Sequence, residues 1–387
     1  MQKDAAERYG YVLVASNDSR NGPWKPIFDA TGAMLSDVQE RVSIDPHRVY
    51  FAGFSGGARA SSQIAAQCKC AAGVFLNGAG FSGGLSPAAL SPFPVFSAVG
   101  NLDFNFIEVI PLQGELAKPG YPHWLRIFQG PHQWAPAEVM DEALAWFRVQ
   151  EMKSQREPHD QAFITTQFSK AEARADSSER SGDLLMAWRE YLQIAATYDS
   201  LVDVAAVRAK ADALGGSKAV RDAAKRERTQ FEEQAKLVGD IASRLNAPPK
   251  QSDTDTQADQ ELEDLIRSLR RNAEQEKRPE KVVVYKRALG CVFIDAMELG
   301  NSLLEQRKLS DAVRAYNFAT EASPDSTWAW QQLALAGALS GAWKQTMIAL
   351  RRLRDLATDK ASYRSWLQTE HAFDPFRFNP EFQSLAQ

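Results

Sequence analysis

The sequence predicts an α/β domain followed by an all-α region, and three observations carry that prediction. Up to residue 152, short apolar runs alternate with helical patterns, as in a parallel sheet covered by helices on both faces. That stretch holds 15 of the 23 glycines but only 25 charged residues, whereas 69 charges and 8 glycines lie beyond it. From Lys153 onward the pattern is helical, with few turn signals and an internal repeat near the end. The expected divisions are 1–152, 153–282 and 283–387.

The elements of the first part follow in order. Ala5 to Tyr9 reads as the end of a helix leading into a strand, Tyr11 to Ala15. A helix is expected near Ala30 to Arg41, then a strand over Arg48 to Ala52. Further strands are expected at Ala72 to Leu76, Pro94 to Val99 and Trp124 to Phe128, and a helix at Pro136 to Gln150. Met1-Gln2-Lys3-Asp4 lacks an apolar signal region. A chain that opens inside a helix, one strand before its core, is expected to lack its natural beginning.

One pentapeptide organises this part: Gly53-Phe54-Ser55-Gly56-Gly57. It lies between the apolar run Val49 to Ala52 and an alanine-rich helix, Ala58 to Gln67, which is the G-x-S-x-G pattern of a nucleophile elbow. Bulky residues at Gly53 and Gly57 are expected to collide with the adjacent strand and helix. The serine hydroxyl would lie beside a helix N-terminus, whose N–H groups and dipole favour an oxyanion.

In parallel sheets, reactive groups collect beyond the carboxyl ends of the strands. Asp103 follows the third core strand within Gly100-Asn101-Leu102-Asp103, and His132 follows the fourth within Gln129-Gly130-Pro131-His132. The order Ser55, Asp103, His132 is that of triad partners in α/β-hydrolases. Serine is a poor nucleophile at neutral pH. Histidine takes its proton and returns it to the leaving group, and a buried aspartate fixes the tautomer. His47, His123, His159 and His371 are worse placed, and capping accounts for Asp29, Asp45 and Asp141.

These motifs give residues 5 to 150 a family likeness. Tyr9-Gly10-Tyr11-Val12-Leu13-Val14, the Asp45-Pro46-His47-Arg48-Val49-Tyr50 approach to the elbow, Gly100-Asn101-Leu102-Asp103 and Gly130-Pro131-His132-Gln133-Trp134 carry it. The stretch resembles the carboxyl-terminal two-thirds of an α/β-hydrolase, similar to the secreted esterase and polyhydroxybutyrate-depolymerase-like group. The resemblance implies a Ser-His-Asp esterase with Ser55, Asp103 and His132 in those roles and the Gly56 N–H as one oxyanion donor. It also implies an earlier strand and H-G loop carrying a second donor. Neither is present before Ala5, and losing one donor typically costs ~10²–10³ in turnover. Related proteins are often exported.

The residues around the acid and base leave the substrate side open. Phe54, Phe104, Phe106 and Trp134 could line a pocket for an acyl or aryl group, or equally cover the sheet. No cofactor is expected. The net charge of −4 suggests no nucleic-acid partner. Three cysteines make no disulfide framework. Cys68 and Cys70, one residue apart, read with Cys291 as ordinary thiols. No Cys or His motif has zinc spacing, and no run of 18 apolar residues would span a membrane.

The second part reads as helices over Ser181 to Ala195, Val202 to Leu214 and Ser217 to Leu245, the last highly charged and solvated. Asn246 to Gln260, with Pro248-Pro249 and a polar tract, is a flexible linker by composition. Leu299-Gly300, Ala312, Tyr316, Ala319 and Pro324 fall at tetratricopeptide spacing. A looser copy follows at Trp330, Leu333, Ala334, Gly341, Trp343 and Leu350, and a degenerate one lies at Gly182 to Ile194. Such helix pairs offer a concave surface to peptides or partner proteins. Phe373, Phe376 and Phe378 are expected to cap the last repeat. Two functions follow: an ester hydrolase with a helical docking region, or a non-enzymatic adaptor in which the hydrolase half is a remnant.

Overall fold

The computed structural model describes residues 3–19, 21–247 and 253–386. The chain divides into two compact units, Met1–Thr229 and Gln230–Gln387.

In the first unit, α1 (Lys3–Tyr9) and α2 (Trp24–Arg41) precede β1 (Val49–Phe54), α3 (Gly56–Cys68), β2 (Ala71–Asn77), β3 (Val95–Gly100), α4 (Phe106–Ala117), β4 (His123–Phe128) and α5 (Ala137–Lys153). Helix α2 starts earlier than expected because Pro26 lies in its first turn, where no N–H is needed. The four strands form a parallel sheet in the order β1-β2-β3-β4. Their register aligns Phe54 with Asn77, Asn77 with Ala98, and Gly100 with Phe128, so the carboxyl ends share one rim.

The sheet is buried on both faces, as its uninterrupted apolar runs require. Phe51, Val74, Leu76 and Val95 pack with Ala58 of α3 and with Leu112 and Leu116 of α4. Phe75, Phe96 and Trp124 pack on the other side with Trp146 and Phe147 of α5. That second core does not stop at the break in composition near residue 152. Helices α6 (Gln161–Arg180), α7 (Leu184–Tyr198) and α8 (Ala205–Gly215) feed Ile164, Ala171, Tyr191, Ile194 and Val207 into it. Most of their charges lie on the outward faces, and the buried Glu190 is paired with Arg126 and Arg174, so the composition shifts while the packing continues.

Three expectations are corrected here. Tyr11 to Ala15 is not a strand. Val12, Leu13 and Val14 are 60%, 50% and 44% exposed, because among the described residues β1 pairs with β2 alone and no strand takes up that segment. Cys68 and Cys70 are joined as a disulfide with Cα atoms 5.1 Å apart. Lys69 between them adopts a left-handed φ of 54°, which folds Cys70 back beside Cys68. Cys291 stays a thiol, and burial next to Asp295 pushes its pKa up to about 12. At the elbow, a Cβ on Gly57 would meet nothing. The steric demand there falls on Gly53 and Gly56.

Helix α9 (Lys218–Leu245) runs through the boundary between the units. The second unit continues with α10 (Asp253–Gln275), α11 (Pro279–Glu305), α12 (Leu309–Ala322), α13 (Thr327–Ser340), α14 (Trp343–Leu356), α15 (Lys360–Thr369) and α16 (Pro380–Ala386). The expected linker is shorter than its composition suggests. Residues 248–252 lie outside the described ones, but 253–260 are helical. Leu262, Ile266 and Leu269, at helical spacing, bury one face of α10, and Asp259 is bound by Arg314 at 2.7 Å. The charged α9 likewise buries Ile241 and Leu245.

Helix α11 packs on α12, α12 on α13 and α13 on α14. Ala312, Ala319 and Ala334 are fully buried. Gly300 lets the Tyr316 ring lie directly on the α11 backbone, where a Cβ would stand 2.8 Å from the ring's Cζ. The Tyr316 hydroxyl donates to Asn301 Oδ1 at 2.8 Å. Phe373 is fully buried and the Phe376 ring packs tilted against Trp343 at 4.9 Å, but Phe378 is 89% exposed and takes no part in a cap. Among the described residues no helix is long and apolar enough to cross a membrane.

Two predictions follow from this packing. Gly300→Val should destabilise the second unit by about 1–3 kcal/mol through overpacking, read as a lower urea midpoint. Burial holds the His123 imidazole below its ordinary pKa near 6.5, although the Tyr121 carbonyl at 2.8 Å partly opposes this. The unfolded chain therefore takes up that proton first as pH falls, and stability that is complete above 6.5 is lost below it. Thermal midpoints from pH 8 to 5 should fall more for the wild type than for His123→Gln.

Candidate active site

Strand β1 ends in a turn so tight that a Cβ on Gly53 would overlap the Gly57 carbonyl. Ser55 takes the strained backbone that such a turn needs, with φ 55° and ψ −118°, and serves as N-cap of α3 without using its hydroxyl. Its own N–H donates to the Asn77 carbonyl at 2.8 Å, and its carbonyl receives Ala58 N at 3.0 Å. Among the described residues the N–H groups of Gly56 and Gly57 donate to no acceptor. They are orphan donors of the helix start, beside a half-buried serine.

Asp103 and His132 are brought together. Asp103 is fully buried just beyond β3, and both its oxygens stand 2.9 Å from His132 Nδ1. A carboxylate can only accept, so in this contact Nδ1 is the nitrogen that donates, and Nε2 lies on the opposite edge of the ring. Asn105 N donates to Asp103 Oδ1 at 2.8 Å, which holds the carboxylate in place. The His132 side chain is 14% exposed. Its ring lies between Phe54 at 4.5 Å and Phe104 at 4.3 Å. Trp134 extends this aromatic wall, 5.5 Å from Phe54, whereas Phe106 is buried in the first turn of α4. No hydrogen bond links Ser55 Oγ to His132, whereas His132 and Asp103 are bonded.

Several residues that hold this arrangement escaped the sequence reading. Asn77, fully buried at the end of β2, donates to the Gln133 carbonyl at 3.1 Å and accepts from Ala135 N at 2.9 Å. It thereby pins the loop that carries His132. Asn105 also donates to the Gly78 carbonyl at 2.7 Å. Gly78 has a left-handed φ of 64°, and a Cβ there would stand 2.8 Å from the Phe54 ring, 3.1 Å from Asp103 and 3.2 Å from His132. The run Asn77-Gly78, straight after an apolar strand, was the available signal. Arg59 of α3 pairs with both oxygens of Glu108 on α4 at 2.6 and 2.9 Å, and Glu108 also accepts from Gly80 N at 2.7 Å. The serine helix and the acid's helix are thus tied to each other.

A cleft of about 440 Å³ lies elsewhere in this unit, between α1, α5 and α6 over Trp124, Trp146 and Tyr198, and contains none of the three residues. Among the described residues no three His, Cys, Asp or Glu side chains gather as a metal ion would require. No protein-family model, curated protein or solved structure matches this chain.

Asn77→Ala would leave the Gln133 carbonyl and the Ala135 N–H without their partner. It should cost about 2–4 kcal/mol, one to three for each orphaned group less local relaxation, read by chemical denaturation.

Proposed function

We propose that the chain is a serine hydrolase acting on carboxylic esters through an acyl-enzyme. The observation that carries the reading is the buried Asp103–His132 pair at 2.9 Å, beside a serine held in left-handed backbone at a helix N-terminus. Ser55 Oγ adds to the ester carbonyl while its proton passes to His132 Nε2. Asp103 holds the ring and steadies the imidazolium. The carbonyl oxygen becomes an oxyanion facing the free N–H of Gly56. When the tetrahedral adduct collapses, the alcohol departs with the proton from His132. Water then enters by the same steps in reverse and releases the acid. In this reading the Ser55–His132 hydrogen bond forms when substrate arrives, since catalytic hydrogen bonds are often completed only in the substrate complex.

Phe54, Phe104 and Trp134 form an aromatic wall beside the imidazole, suited to an aryl or acyl group. In this reading the tetratricopeptide-like helices of the second unit dock a peptide or protein partner. The competing reading is an adaptor with an inert hydrolase remnant, and the unmade Ser55–His132 bond is what favours it.

Treating the purified chain with a fluorophosphonate separates the two. The wild type should label and Ser55→Ala should not, whereas folded wild-type protein that takes no label makes the adaptor the better account. In a turnover assay with a 4-nitrophenyl ester, Asp103→Asn should lower kcat by roughly 10⁴ while leaving the fold intact.

A further inference from the structure

We infer that the Asn21 side chain supplies the second oxyanion donor, completing the site with the Gly56 N–H; this rests on the hydrolase reading above. The side-chain carboxamide of Asn21 occupies the space that a Cβ on Gly56 would need, with Oδ1 nearest that position and the donating Nδ2 2.9 Å from it. It therefore lies against the residue whose N–H is the first donor, on the loop that leads into α2. Within that loop Ser16 Oγ accepts from Asp18 N at 3.1 Å and Ser19 N at 3.2 Å, and Trp24 stacks on Phe28 at 6.1 Å where the helix begins.

Three features separate this amide from an ordinary surface asparagine. Among the described residues it forms no hydrogen bond of its own, so both N–H donors are available. It meets the one glycine of the elbow whose missing side chain makes room for it, and a side chain at residue 56 would expel it. The backbone donors beside it, Gly56 and Gly57 N–H, are also unspent. An oxyanion forming on a carbonyl bound to Ser55 Oγ would meet a fixed backbone N–H on one side and a side-chain amide on the other. That pairing of one main-chain with one side-chain donor is a known solution to the same electrostatic problem. The donor that the sequence seemed to lack is thus provided from the other side of the elbow, by a residue no motif marks.

Asn21 is exposed and unbonded, so its removal should leave the fold alone and act only where charge develops. The test compares the full chain with Asn21→Ala, Asn21→Asp and Ser55→Ala, using a 4-nitrophenyl ester and a trifluoromethyl ketone that mimics the tetrahedral adduct. The expected result for Asn21→Ala is a kcat lower by ~10²–10³, with KM within about threefold and an unchanged thermal midpoint. Its affinity for the ketone should fall in parallel. Asn21→Asp should be at least as impaired, because it sets a negative charge beside the oxyanion. A wild-type chain with Ser55-dependent turnover that Asn21→Ala leaves within about threefold overturns the role of Asn21 alone. A wild-type chain with no Ser55-dependent turnover overturns the hydrolase reading and this role with it.

Discussion

The close approach of β1 and α3 at the Gly53–Gly57 contact sets the geometry of the whole first unit. A strand that must turn into a helix within one residue can do so only if nothing projects from Gly53 and if Ser55 accepts left-handed backbone. Strain of that kind, of order 1–3 kcal/mol, persists only where surrounding structure over-determines it. Here the Ser55 N–H bond to Asn77 and the Arg59–Glu108 pair supply that constraint. The same turn sets the start of α3 at the sheet rim, where Asp103 and His132 also emerge.

A second layer of constraint is polar and buried. Asn77 and Asn105 each join two chain segments, one fixing the loop after His132 and the other fixing Asp103 against Gly78. In a low-dielectric surround such bonds are costly to leave unmade, so they specify one loop arrangement over its competitors. The histidine ring is held by chemistry at its Nδ1 edge and by aromatic packing on its faces. That leaves a single nitrogen free to act.

Much of this was legible in the order of residues alone. The elbow pentapeptide, Asp103 and His132 each follow an apolar run, and period and turn chemistry place such residues on the rim of a parallel sheet. What was not legible depended on neighbours distant in sequence. Tyr11 to Ala15 has the composition of a strand, but a strand exists only when another backbone pairs with it. Lys69 gave no sign that it would bend left-handed and bring two sulfurs together. The polar tract after residue 252 forms helix because Leu262, Ile266 and Leu269 bury a stripe that average composition conceals. Asn21 carried no motif, and its contact with Gly56 joins positions 35 residues apart in the chain.

The sheet ends on β1, the strand that leads into Ser55. Among the described residues β1 is bonded on one side only, its Ala52 is exposed, and Val12-Leu13-Val14 presents apolar side chains to solvent nearby. Bare amides and carbonyls along such a margin invite any extended polypeptide to zip onto them. In concentrated solution the margin beside the turn that carries Ser55 is therefore where extended chains would first adhere.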